Sequence, residues 1–145
     1  MQAFNKLKPI YIILALFFIG NLFLLTHFPL VHSDEAWLSG LSRHILNSKS
    51  LEVTEPFFDI YPRNPHAIKV FFHMIQIFFL KIFGYSIFSF RLLSLIAGTL
   101  CLFFFFKIVQ LITKSKFLIY SIVILMGIDI HFIYSSHLAR QEIIL

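Results

Sequence analysis

The sequence predicts an all-α, polytopic membrane protein, with about three transmembrane helices and interfacial amphipathic helices between the first two. Three observations predict it. Of 145 residues, 59% are hydrophobic and 13% charged, against about 45–50% and about 25% in an ordinary soluble domain. The mean hydropathy is +0.86. Long apolar runs recur, several close to the roughly 20 residues of a spanning helix. Too few charges remain to cover a water-soluble surface, which argues against a soluble enzyme or a disordered tail. The net charge of +5 does not signal nucleic acid, because the basic residues are scattered between apolar runs rather than gathered on a face.

The first run extends from Ile10 to about Phe28, behind Lys6 and Lys8. No small-x-small cleavage site follows it, so it reads as an uncleaved span over about 10–30 rather than a signal peptide. Residues 32–65 form a polar connector holding Asp34, Glu35, Glu52, Glu55 and Asp59. From Asp34 to about Asn47 it has a helical period. Trp37, Leu38, Leu41, Ile45 and Leu46 share one side, with Ser33 as the expected N-cap. Pro56, Pro62 and Pro65 make the later part irregular.

In 66–83, His66, Lys69, His73 and Gln76 form a polar stripe opposite Phe71, Phe72, Ile75, Phe78, Phe79 and Ile82. That pattern predicts an amphipathic helix lying in the membrane interface. The alternative is a spanning helix whose polar stripe faces other helices. Further spans are expected at 91–112 and 117–136. Cys101 lies in an apolar run and is expected to be a small buried hydrophobe; a single cysteine excludes an internal disulfide.

Charge asymmetry sets the topology. Lys6 and Lys8, and then Lys107, Lys114 and Lys116, carry no acids beside them, so the positive-inside rule places both groups in the cytoplasm. An even number of crossings separates them, which keeps 66–83 from crossing. The external loop is then 32–90. Asp34, Glu35, Arg91, Arg140 and Glu142 share the external interface.

Each motif there has two readings. The Asp34–Glu35 pair is a candidate general base toward a hydroxyl, or a pair of first-turn acids complementing a helix dipole. Arg91 offers a planar fork for phosphate, or is a snorkelling anchor. Arg140-Gln141-Glu142 adds a cation and a carboxylate, or is a solvated helix end. Asp129, about 18 Å into the last span by helical rise, is either a functional intramembrane acid or hydrated near the boundary. Among His27, His32, His44, His66 and His73, no pair has the four-residue spacing of two ligands on one helix face, so no metal site is expected.

The order of these segments resembles the N-terminal part of the polytopic GT-C glycosyltransferases. The segments are DEAWLSGLSRHIL after the first span, a proline-containing connector, HAIKVFFHMIQIFFLKIFGYSIFSFRLLSLIAG, and SSHLARQE after the third span. The nearest groups are dolichyl-phosphate-mannose protein mannosyltransferase-like proteins and lipid A aminoarabinose transferases. The resemblance runs from about residue 8 to 145 of the sequence. It implies transfer of a sugar from a polyprenyl-phosphate donor to an acceptor hydroxyl of a lipid, glycan or protein. It further implies that the reaction takes place on the periplasmic or external face of the cell (inner) membrane and that, by motif position, Asp34 and Glu35 are catalytic and Arg91, Arg140, Glu142 and Lys69 bind substrate, with Arg63 a second loose match for the basic residue of the connector. In the family an aromatic stands three positions after the acidic pair; here Trp37 is one step early. No cofactor is implied beyond an optional divalent cation. Family members run to several hundred residues, so the chain is expected to be an N-terminal portion, inactive alone. The competing expectations are a small non-catalytic multi-pass scaffold and a transporter fragment coupled through Asp129.

Overall fold

The structure, a computed structural model, describes residues 9–50 and 70–139. All regular structure among them is helical: α1 (Pro9–Leu24), α2 (Ser33–Ser48), α3 (Val70–Phe83), α4 (Ile87–Ile112), α5 (Lys116–Ile128) and α6 (Ile130–His137). The all-α expectation holds for these residues. Lys69, Arg140 and Glu142, with Arg63, His66 and the prolines of the connector, lie outside them.

α4 is the hub. α1, α3, α5 and α6 all pack on it, and α2 packs on α3. The main core joins Ile10, Phe17 and Leu25 to Leu92, Leu95, Leu102 and Phe106 of α4 and to Ile119 and Val123 of α5. Apolar side chains also cover the outside, among them Phe23, Leu111 and Phe117. A helix apolar on all sides finds its place only inside protein or lipid. Among the described residues, α4 alone is long and apolar enough to cross a membrane, and α5 with α6 adds a second span if the bent pair is one; α1 and α3 are shorter apolar helices.

Several expectations change in detail. The first span, expected over about 10–30, is helical over Pro9–Leu24 among the described residues, and the span expected from 91 starts at Ile87. The span expected at 117–136 is broken, with α5 and α6 bent by 58°. Asp129 is the cause: its backbone ends α5, and its Oδ1 accepts the Phe132 N–H at 2.9 Å to start α6. Aspartate at an N-cap competes with a continuous helix. The N-cap of α2 is His32, not Ser33; the His32 ring accepts the Asp34 N–H, and Glu35 returns to the His32 N–H. Cys101 is exposed, since the outer side of α4 has no protein against it. The described part of the α3 stripe follows the alternative reading, with His73 and Gln76 buried while Phe71, Met74, Phe78 and Ile82 face out.

The α4–α6 seam is close. A Cβ on Gly98 would lie 2.5 Å from the Ser136 Cβ, so only glycine permits this approach. Gly84, at φ +76°, ends α3 in the left-handed region that other residues resist.

Candidate functional site

The site forms where four chain segments meet at one end of α4. Arg91, in the second turn of α4, is 1% exposed, and Glu35, in the first turn of α2, is 4% exposed. Their contact is a two-pronged fork: Arg91 Nε donates to Glu35 Oε1 at 2.9 Å, and Nη2 donates to Oε2 at 2.8 Å. Arg91 Nη1 donates to the carbonyls of Leu25 and Pro29 at 3.0 and 2.8 Å, capping the chain that leaves α1. Glu35 Oε1 also accepts the Ala139 N–H at 2.8 Å, and Oε2 the His32 N–H at 3.1 Å. Beside this cluster, His137 Nδ1 meets the Phe28 carbonyl at 2.8 Å. That contact requires the proton on Nδ1.

Counting donors and acceptors defines what the pair has left. A carboxylate offers about four lone-pair directions, and Glu35 receives four N–H groups. It has no acceptor capacity for a substrate proton. Arg91 carries five N–H groups, and four contacts use them. One Nη2 proton remains, whereas a forked grip on phosphate needs two. Burial pushes the Glu35 carboxyl up, but the Arg91 bonds, the Ala139 and His32 amides and the guanidinium charge together hold it below the ordinary carboxylate range.

Asp34 differs from its neighbour. Its side chain is 40% exposed. Its N–H is held by His32 Nδ1 at 3.2 Å, and its Oδ2 lies 3.7 Å from the same nitrogen. A ring nitrogen that accepts the amide proton carries none itself, so in the capping tautomer the ring is neutral toward Asp34. The step of 100° per residue turns Asp34 from Glu35 toward the side of α2 that carries Leu38 and Leu41.

A cleft of about 310 Å³ opens beside the pair, lined by Val31, Glu35, Ser39, Tyr85, Phe90 and Arg91 among others. Its lining is mostly apolar and its one ion pair is neutral overall. Arg43 stacks on the Tyr85 ring with 4.6 Å to the centroid. Among the described residues no group of three or more His, Cys, Asp or Glu is placed to hold a metal ion.

Of the residues singled out in the sequence, the structure brings Glu35 and Arg91 together and sets Asp34 beside them. Ala139 joins them one residue before Arg140. The roles of His32, Ala139 and the two carbonyls were missed. Only His32 carried a signal, the capping-box spacing to Glu35. No protein-family model, curated protein or solved structure matches the chain. The likeness to the GT-C enzymes stays one of motif order and spacing.

Proposed function

We propose that the chain is a multi-pass membrane portion of a GT-C-type glycosyltransferase, acting with a polyprenyl-phosphate sugar at the external face of the cell membrane. One observation carries the reading. The Ala139–Glu35 bond ties together positions 104 residues apart, so the chain leading into Arg140 and Glu142 starts beside Asp34. That supports, for the two motifs that the reaction requires, a position on one face.

The hydrogen bonds support the roles of Glu35 and Arg91; the other roles follow the motif positions of the resemblance. Asp34 is the general base: it takes the proton of the acceptor hydroxyl as that oxygen attacks the anomeric carbon. The bond from that carbon to the donor phosphate breaks, and the lipid phosphate leaves with the electron pair. Arg140, Lys69 and the remaining Arg91 N–H meet the charge that grows on the phosphate. Glu35, saturated by donors, holds the frame. The acceptor is the hydroxyl of a lipid, glycan or protein.

The test is sugar transfer in membranes from cells that carry the gene in its genomic setting, supplied with radiolabelled polyprenyl-phosphate hexose. Asp34→Asn is expected to abolish incorporation at unchanged protein level; incorporation that survives it refutes the assignment. Topology is read in intact cells with an impermeant maleimide, using single cysteines at Ser33, Ser86, Ser115 and Ser135 in a Cys101→Ala background. Ser135 is exposed, unlike Ser136. Labelling of all but Ser115 is expected. Labelling of Ser115 with protection of Ser86 and Ser135 places the two motifs on opposite sides and ends the proposal.

A non-catalytic scaffold is the second reading, favoured by the saturation of the Glu35–Arg91 pair. It predicts that Asp34→Asn changes nothing.

A further inference from the structure

We infer that the outward face of α3 is a docking surface for the acyl region of an anionic bilayer, with Lys81 and Arg43 marking the headgroup level. The first support is the direction of the helix. Its polar side chains turn away from the surroundings: Ser42 of α2, itself fully buried, bonds His73 Nδ1 at 2.8 Å and Gln76 Oε1. The face left outside is Phe71, Met74, Phe78 and Ile82, spaced by 3, 4 and 4 residues along the chain. Phe71 is 68% and Phe78 58% exposed. A helix on water presents the opposite face, and a continuous exposed apolar stripe marks a membrane or protein contact.

The second support is charge. Lys81, in the last turn and exposed, stands beside the last stripe residue, Ile82, and four positions before Tyr85, over whose ring Arg43 stacks. Lysine, arginine and tyrosine at the end of an apolar stripe fit the boundary between acyl chains and headgroups. Among the described residues of α2 beyond Glu35 and of α3 there is no acid. That end of the pair is therefore complementary to anionic lipid phosphate. An occupant protein would need acids there, and beyond the Asp34–Glu35 turn a second copy of these helices brings only more cations. α2 then acts as an inner cover whose Ser42 meets His73 Nδ1 and Gln76 Oε1 in place of water. This placement holds whether or not the chain transfers a sugar.

The experiment uses the full chain in nanodiscs, with Cys101→Ala and single nitroxide labels at positions 71, 74, 78 and 82. Ile77, buried, and His44, exposed on α2, are the references. Oxygen collisions are expected to exceed those of a water-soluble nickel complex severalfold at all four positions. The ratio is expected to fall at Ile77, and to reverse at His44. Nickel collisions equal to those at His44 would put the stripe in water and overturn the inference. Dipolar broadening between labels would put a second copy there, with the same consequence. Four positions keep the pattern readable if one variant fails to fold. The charge component is read with unlabelled protein and spin-labelled lipids. Phosphatidylglycerol is expected to be immobilised in preference to phosphatidylcholine, and Lys81→Gln to reduce that preference. Equal immobilisation of the two lipids refutes the anionic assignment.

Discussion

Replacing Glu35 by Gln is expected to destabilise the fold by about 3–5 kcal/mol, the usual cost of leaving one member of a buried ion pair uncompensated. Shape is conserved in this variant, so the loss has an electrostatic origin that the contacts specify. All four contacts of Glu35 are donors: Arg91 Nε and the Ala139 N–H on Oε1, Arg91 Nη2 and the His32 N–H on Oε2. Whichever way the substituted glutamine amide is turned, its NH2 group faces two donors. The guanidinium keeps its charge without a counter-charge. Replacing both partners, Glu35→Leu with Arg91→Met, removes the orphaned charge but leaves the Leu25 and Pro29 carbonyls and the Ala139 and His32 N–H groups without partners, at about 1–3 kcal/mol each, so the double variant is expected to be no more stable than Glu35→Gln. The assay is reversible unfolding in mixed micelles with increasing denaturing detergent, read by helical circular dichroism. A Glu35→Gln loss below about 1 kcal/mol, in the range of exposed pairs, would refute the idea that this pair is buried and holds the four segments together.

The same carboxylate gives a pH signature. Its folded-state pKa is below the unfolded value of about 4.3, so its stabilisation is complete above that value. It is lost as pH falls from there through the folded pKa; a denaturation series at falling pH is expected to show this acid limb in the wild type and not in Glu35→Gln. Gly98→Ala places a methyl where Ser136 already sits and is expected to cost about 1–3 kcal/mol, with partial rescue by Ser136→Gly in the same unfolding assay. Asp129→Ala removes the cap of α6 at an expected cost of about 0.5–2 kcal/mol, most of which Asp129→Asn retains. Asp34→Asn, at a half-exposed position outside the core, is expected to stay within about 0.5 kcal/mol of wild type, so any loss of sugar transfer in that variant is chemical rather than structural.

The helices were legible wherever a local pattern specifies them. The period of Trp37, Leu38 and Leu41 placed α2 to within a residue at each end, and the unbroken apolar run placed the end of α4, though its start lies at Ile87 rather than 91. Three things were not legible, each for a physical reason. The Glu35–Arg91 fork joins residues 56 apart, and a single sequence holds no record of which charge meets which. The Ala139 contribution is a backbone N–H, which every residue but proline has, so side-chain identity carries no trace of it. The break at Asp129 was read as an acid inside a span, because hydropathy weighs polarity and ignores capping geometry. An aspartate within an apolar run is as much a start signal for a new helix as an intramembrane charge.

The α3 stripe holds the more general lesson. Its sequence left two directions open, a polar stripe toward the interface or toward other helices, and His73 and Gln76 take the second. A period of 3.6 reports that two faces differ, not which of them meets the surroundings. Water outside draws the polar face outward; hydrocarbon outside does the reverse, provided a partner such as Ser42 satisfies the polar atoms within. The sign of an amphipathic helix therefore depends on the solvent assumed for it. In a chain with exposed Phe23, Leu111 and Phe117, that assumption has to be made from the whole composition before the single helix. Applied in that order, the argument turns His73 and Gln76 inward from the start, and leaves Lys81, alone at the stripe's end, as the residue that marks where hydrocarbon gives way to charge.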